Sequence, residues 1–163
     1  AADLAIEKLD WERDTDDWRA YLEAAAEAVW ELYARHPGLA DTIRLMDTTP
    51  PSGIRAFSSA CQRLEAFGFS PEDAVLIMDS IMDMTNDSSS GWQRMATPTE
   101  HGGTVGESLR RSWDEQAPKD EAMARHIALM SVVITGNSKD WWRRKLSLLL
   151  DGAAAMLTSR PER

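Results

Sequence analysis

At 163 residues, with 43% hydrophobic and 28% charged side chains, the chain has globular proportions and enough length for one domain with a sizeable core, which excludes a disordered or fibrous class. A formal net charge of −9 excludes tight binding of duplex DNA by this chain alone, because such affinity comes from Lys and Arg neutralising phosphates and releasing counterions. The longest apolar runs fall far short of the about 20 residues that cross a bilayer, and the single cysteine, Cys61, excludes an internal disulfide and reads as a small buried hydrophobe.

Nearly every segment carries the 3.6-residue apolar spacing of an amphipathic helix, and no stretch sustains the alternation of a strand, so the expected class is all-α. Residues 1–9 have neither a cationic start nor an apolar core of a secretory signal, so a cytoplasmic location is expected. The chain opens at Ala1, inside the tail of a helix over residues 3–9, and this reads as part of a longer protein. An acidic loop follows, in which Asp16 or Asp17 can cap a long helix from Trp18 to about Arg35. His36-Pro37-Gly38 ends it, since proline removes a backbone donor and disfavours helix before it. A short helix is expected from Leu39 to about Met46, then a turn at 47–52 and a helix from about Gly53 to Phe67, with Gly68 just past its end. Ser70-Pro71-Glu72-Asp73 joins a capping hydroxyl, proline in the first turn and acids at the positive end of the dipole, and opens a helix to about Asn86. Residues 87–119, rich in Ser, Gly, Thr and Pro, read as a long flexible connection with a short helical piece near Leu109–Trp113. Helices over about Asp120–Thr135 and Ser138–Leu157 close the chain, with Gly136-Asn137 as the turn between them.

The residues of common catalytic chemistry are dispersed. His36, His101 and His126 lie at a helix end, in a loop and in a helix interior, and no Ser or Cys has a base at a motif spacing, so neither a catalytic triad nor a zinc signature can be written. Gly102-Gly103 has no strand before it, which removes a phosphate loop. No enzyme activity, cofactor or metal is expected. Asp79, Asp83 and Asp87 recur at i, i+4 and i+8 and share a helix face, either as a solvated stripe or as a site for a cation. Val75, Met78 and Met82 beside them form an adaptable apolar stripe, and Phe57, Cys61 and Leu64 share a face of the preceding helix. Two such faces can close on a ligand or simply pack as core, and Trp30 and Tyr33 carry the same pair of readings. In the last helix Trp142, Leu146, Leu149, Ala153 and Met156 follow a 4-3-4-3 spacing, with Trp141, Leu148 and Gly152 on a neighbouring line. So wide an apolar arc calls for partners on two sides, one of them a second subunit in a symmetric bundle.

In this order the features resemble the C-terminal domain of the tetracycline repressor and its relatives. Residues 4–9 (LAIEKL) resemble the helix that joins a DNA-binding head to the body, and Asp17-Trp18-Arg19-Ala20-Tyr21-Leu22 the start of the first long body helix. His36-Pro37-Gly38 is similar to the break after it, Gly68-Phe69-Ser70-Pro71-Glu72-Asp73-Ala74 to the start of the first dimer helix, and residues 142–157 (WRRKLSLLLDGAAAML) to the second. The resemblance implies an end of a connecting helix and its loop over residues 1–14 and an effector-binding and dimerisation domain over 15–163. Two helices of each subunit would form a four-helix dimer interface through Ile77, Ile81, Trp142, Leu146, Leu149 and Ala153. The function implied is that of a repressor that reads operator DNA through a separate N-terminal helix-turn-helix and releases it when a small molecule binds the body.

Carried across residue by residue, the family's cavity would fall on Val29, Thr42, Leu45, Phe57, Ala60, Cys61, Leu64, Val75, Met78, Asp79 and Met82. The histidines that hold magnesium and drug in the tetracycline repressor are matched here by Arg13, Thr42 and Asp83, so the resemblance does not extend to magnesium-tetracycline. The apolar, sulfur-rich lining with one carboxylate points instead to a small hydrophobic or cationic-amphiphilic effector. The competing reading is a helical protein–protein interaction module. The two differ in one respect: a regulator needs a cavity of about 300 to 1,000 Å³ among its middle helices, where an interaction module is solid.

Overall fold

The computed structural model describes residues 2–7, 9, 14–116 and 120–158. Among these the chain forms eight α-helices and no strand. They are α1 (Ala2–Glu7), α2 (Trp18–Arg35), α3 (Leu39–Arg44), α4 (Pro51–Ala66), α5 (Pro71–Met95), α6 (Val105–Gln116), α7 (Glu121–Thr135) and α8 (Ser138–Thr158). No helix is long and apolar enough to cross a membrane among the described residues.

Local chemistry sets most of the boundaries. Asp17 caps α2 by accepting from the Arg19 amide at 2.9 Å, and Gly38 carries the chain out of the α2 end at φ +82°, a conformation that costs glycine nothing. Ser70 Oγ accepts from the Asp73 amide at 3.0 Å and Pro71 occupies the first turn of α5. The boundary proposed at residue 14 adjoins residues 10–13, which lie outside the described residues.

Two elements depart from the sequence expectation. The α5 helix continues to Met95 instead of ending near Asn86, because its Ser-rich stretch is packed against other helices rather than free in solvent. Thr85, Ser88 and Ser89 are buried, and they receive hydrogen bonds from Trp142 Nε1 at 3.2 Å, Lys145 Nζ at 3.3 Å and Gln93 Nε2 at 3.3 Å. Small polar side chains there let α8 approach closely. Residues 105–116 then form α6, a full helix where a mostly flexible connection was expected. Its start is a capping box: the Thr104 amide donates to Glu107 Oε2 at 2.7 Å and the Glu107 amide donates to Thr104 Oγ1 at 3.3 Å.

Helix α5 is the axis of the domain, in contact with α2, α3, α4, α6 and α8. One hydrophobic core lies where α2, α4, α5 and α8 meet; it centres on Trp142, which is fully buried and stacks on Trp30 with ring centroids 4.8 Å apart. A smaller cluster of Ile6, Val29, Leu32, Tyr33 and Ala40 joins α1, α2 and α3. Between the second cluster and α4 the packing is incomplete.

Candidate functional site

That gap is a cavity of about 420 Å³, within the size range of small-molecule sites. Helix α5 contributes Met78, Asp79, Met82 and Asn86, and the i, i+4, i+8 spacing of 78, 82 and 86 puts them on one face. Helix α2 contributes Val29, Leu32 and Tyr33, and the first half of α4 contributes Gly53, Ile54, Phe57 and Ser58. Ile6 of α1, the following Leu9, Ile43 of α3, and Thr49 and Pro50 before α4 complete the wall.

The polar groups are few. Asp79 lies at the solvent-exposed rim. Burial raises the Tyr33 phenol to about 12, so it remains a neutral hydroxyl throughout the physiological range. Asn86 is a lining residue whose Oδ1 is enclosed by protein and accepts no hydrogen bond among the described residues. No three His, Cys, Asp or Glu side chains among the described residues come together as metal ligands would. Of the aspartate stripe, Asp87 is ion-paired with Arg44 of α3, a contact that raises the guanidinium pKa through that hydrogen bond and holds α3 on α5.

Two further clamps fix the walls. Gln93, on the part of α5 that the sequence reading missed, accepts from the Gly38 amide at 2.9 Å and donates to the Tyr33 carbonyl at 3.3 Å, closing the α2–α3 corner. At the other end Asp3 of α1 accepts from the Ser52 amide at 2.9 Å and from the Ser52 hydroxyl, satisfying a donor of the α4 first turn. The Ser52 side-chain and backbone bonds hold the Asp3 carboxyl below its ordinary 3.8. A carboxyl depressed in the folded state contributes stability that is present above the unfolded pKa and lost as pH falls through the folded one. Acidification from about pH 4 downward should therefore loosen α1 from α4, read as faster amide exchange in the first turn of α4. Asp3→Asn should show fast exchange at neutral pH and lose that step. An identical acid profile in both proteins would remove Asp3 from this role.

With the cavity in view, the comparison with known families is decisive: the profile of the tetracyclin repressor-like C-terminal domain matches residues 12–157. The chain belongs to this family. No curated protein and no solved structure gives a significant match. As a tetracycline repressor-like domain it has a regulatory role of the ligand-binding and dimerising kind.

Of the pocket positions named from the sequence, the cavity gathers Val29, Phe57, Met78, Asp79 and Met82. Ala60, Cys61 and Leu64 continue the same α4 face beyond the cavity and are buried in the main core; burial also pushes the Cys61 thiol pKa up. Thr42 and Leu45 are turned to solvent, Leu45 at 83% exposure, because α3 presents Ala40 and Ile43 inward instead, and Val75 on α5 is exposed while Ala74, Ile77 and Met78 of that helix are buried. Arg13 lies outside the described residues. Asn86, Tyr33 and Ile6 line the cavity without having been named as pocket residues from the sequence.

The positions named for a dimer interface sit differently from the expectation. Ile77, Ile81, Trp142, Leu146 and Ala153 are 0–3% exposed in the single chain, so they form the seam between α5 and α8 within one subunit, and Leu149 is half-buried against the same core. Exposed apolar side chains outside this seam include Val75 and Leu76 on α5, Leu148 on α8, and Met123, Leu129, Met130 and Val132 on α7. The 4-3-4-3 line of α8 packs into its own domain through Trp142, Leu146 and Ala153, because spacing alone does not say which of two adjacent lines faces that domain.

Proposed function

We propose that the domain binds a small hydrophobic or cationic-amphiphilic effector in the 420 Å³ cavity, forms a homodimer, and serves as the regulatory half of a DNA-binding repressor that releases its operator when the effector is bound. One observation carries the reading: the cavity is walled on one side by Ile6 of α1 and by Leu9, the segment that resembles the link to a DNA-binding head. A molecule filling the cavity touches that segment directly, so its binding energy differs between any two positions of α1, which is what a ligand needs in order to shift a conformational equilibrium. The exposed apolar side chains on α5, α7 and α8 support the homodimer, since large apolar groups left in water favour association.

A neutral aromatic probe, 1-methylnaphthalene, tests the cavity. At a hundredfold excess over its dissociation constant it should stabilise the fold by about 2.7 kcal/mol through binding the native state alone. Met82→Trp should fill the space and abolish that shift while the unliganded protein keeps its helical content. An equal shift in the Met82→Trp protein would place the probe elsewhere and withdraw the cavity as the effector site.

A further inference from the structure

We infer that Tyr33 selects the effector: its phenol donates to a neutral acceptor, the carbonyl of a ketone, ester or amide, on an otherwise apolar molecule lying in the cavity. This rests on the reading of the cavity as an effector site. Of the polar side chains in the lining, Thr49, Ser58 and Asp79 are exposed, so water can meet their demands whether or not the cavity is filled. The Asn86 Oδ1 is enclosed by protein. Tyr33 differs from all of these. It is only 2% exposed, and among the described residues its hydroxyl has no hydrogen-bond partner; the hydrogen bond that Tyr33 makes beyond its own helix is through the backbone carbonyl, which accepts from Gln93 Nε2 at 3.3 Å. Burial alone accounts for the raised phenol pKa, with no hydrogen bond or neighbouring charge contributing. The hydroxyl is not sealed off as the Asn86 oxygen is, and the open space that Tyr33 lines is the cavity.

The chemistry of the group fixes what it takes. A phenol has one O–H to give, and it is a better donor than acceptor because its oxygen lone pair is shared with the ring. In an unfilled cavity water can take that proton. A hydrocarbon that displaces the water leaves the O–H unmet, whereas a carbonyl oxygen takes the water's place. A carboxylate is the poorer occupant: no cationic side chain is among the described residues of the lining, and a charge held there by one neutral hydroxyl would lose most of its hydration without return. The inner wall around Tyr33 is otherwise apolar, with Val29, Phe57, Met78 and Met82, which sets the body of the molecule. Gln93 fixes the backbone that carries the ring, so the donor is in place before a ligand arrives.

Calorimetric titration of the intact chain with two probes of matched shape tests this: 2-acetylnaphthalene, and 2-isopropylnaphthalene, in which a methyl group replaces the carbonyl oxygen. Tyr33→Phe removes the hydroxyl and keeps the ring. It should weaken the ketone about tenfold and leave the hydrocarbon as tight as before or tighter, a difference of differences that cancels the unequal hydration of the two probes. Without any probe, Tyr33→Phe should melt no lower than the parent, since its hydroxyl makes no bond within the fold. Loss of the same factor for both probes, no loss for the ketone, or a clear fall in the melting temperature of the unliganded variant overturns the selection by Tyr33. If Met82→Trp still removes binding of both probes in any of those cases, the effector cavity stands without it. Binding of both probes that Met82→Trp leaves unchanged, or failure of both to bind the parent, would remove the cavity reading as well.

Discussion

Trp142→Ala should lower the stability of the domain by about 3 to 5 kcal/mol, the usual cost of truncating a buried tryptophan, and its melting temperature by roughly 6 to 20 °C for a domain of this size. The side chain is fully buried, stacks on Trp30 at 4.8 Å and donates its indole N–H to Thr85 Oγ1 at 3.2 Å. Alanine would leave a cavity between α2, α5 and α8 and deprive the Thr85 hydroxyl of its donor at once, so the loss combines packing with an unmet polar group. Trp142→Phe, which keeps much of the stacking and loses only the donor, should cost about 1 to 3 kcal/mol. Both are read by thermal unfolding at matched protein concentration, because association would otherwise contribute to the melting point. A Trp142→Ala protein within about 1 kcal/mol of the parent would mean that α8 does not pack as described.

The second large effect is on assembly. Leu148 is 75% exposed in the single chain and lies on the outer line of α8, so Leu148→Arg leaves the domain's own core untouched. In a two-fold dimer each substitution occurs twice, and two charges would be buried across the interface. At about 2 kcal/mol for each copy of a central residue, the dissociation constant should rise about a thousandfold, turning dimers into folded monomers at micromolar concentration. Light scattering reads the mass and circular dichroism the fold. Leu149 is the poorer choice, since it is half-buried against the main core and arginine there would disturb folding as well as association. A parent chain that is monomeric in the same measurement would end the homodimer proposal.

The start signals of the helices were largely legible in the sequence. Asp17 and Pro37 bracket α2, and Ser70-Pro71 opens α5, because caps and proline act through bonds within a few residues. The continuation of α5 through its serines was not legible, since a serine run favours loops by local chemistry and stays helical here through burial against α8. The start of α6 was legible but overlooked: Thr104 followed three residues later by Glu107 is the signature of a capping box. In the candidate site, the stripe of Met78 and Met82 extends by one more turn to Asn86, so helical spacing offered that residue too. Leu45 and Ala60 could not have been sorted by spacing. Which part of a helix face meets an incompletely filled space depends on how α3 and α4 are set against α5, and that is decided by contacts distant in sequence.

The central position of α5 also bears on the order in which the domain comes apart. Most of the described helices touch α5 directly, whereas α1 is held chiefly by α4, through the Asp3–Ser52 contact, with Ile6 packed on the α2–α3 cluster. Breaking α5 loose would require most of the molecule to open, so that region should exchange its amides only with global unfolding, while α1 should detach alone at lower cost. On the proposed effector reading, exchange of a molecule in the cavity should run through fraying at this edge and not through breathing of the centre. The residence time of the proposed effector should then follow how tightly a six-residue helix is fastened, and the Asp3–Ser52 contact, which is not part of the wall, offers a place to lengthen or shorten it.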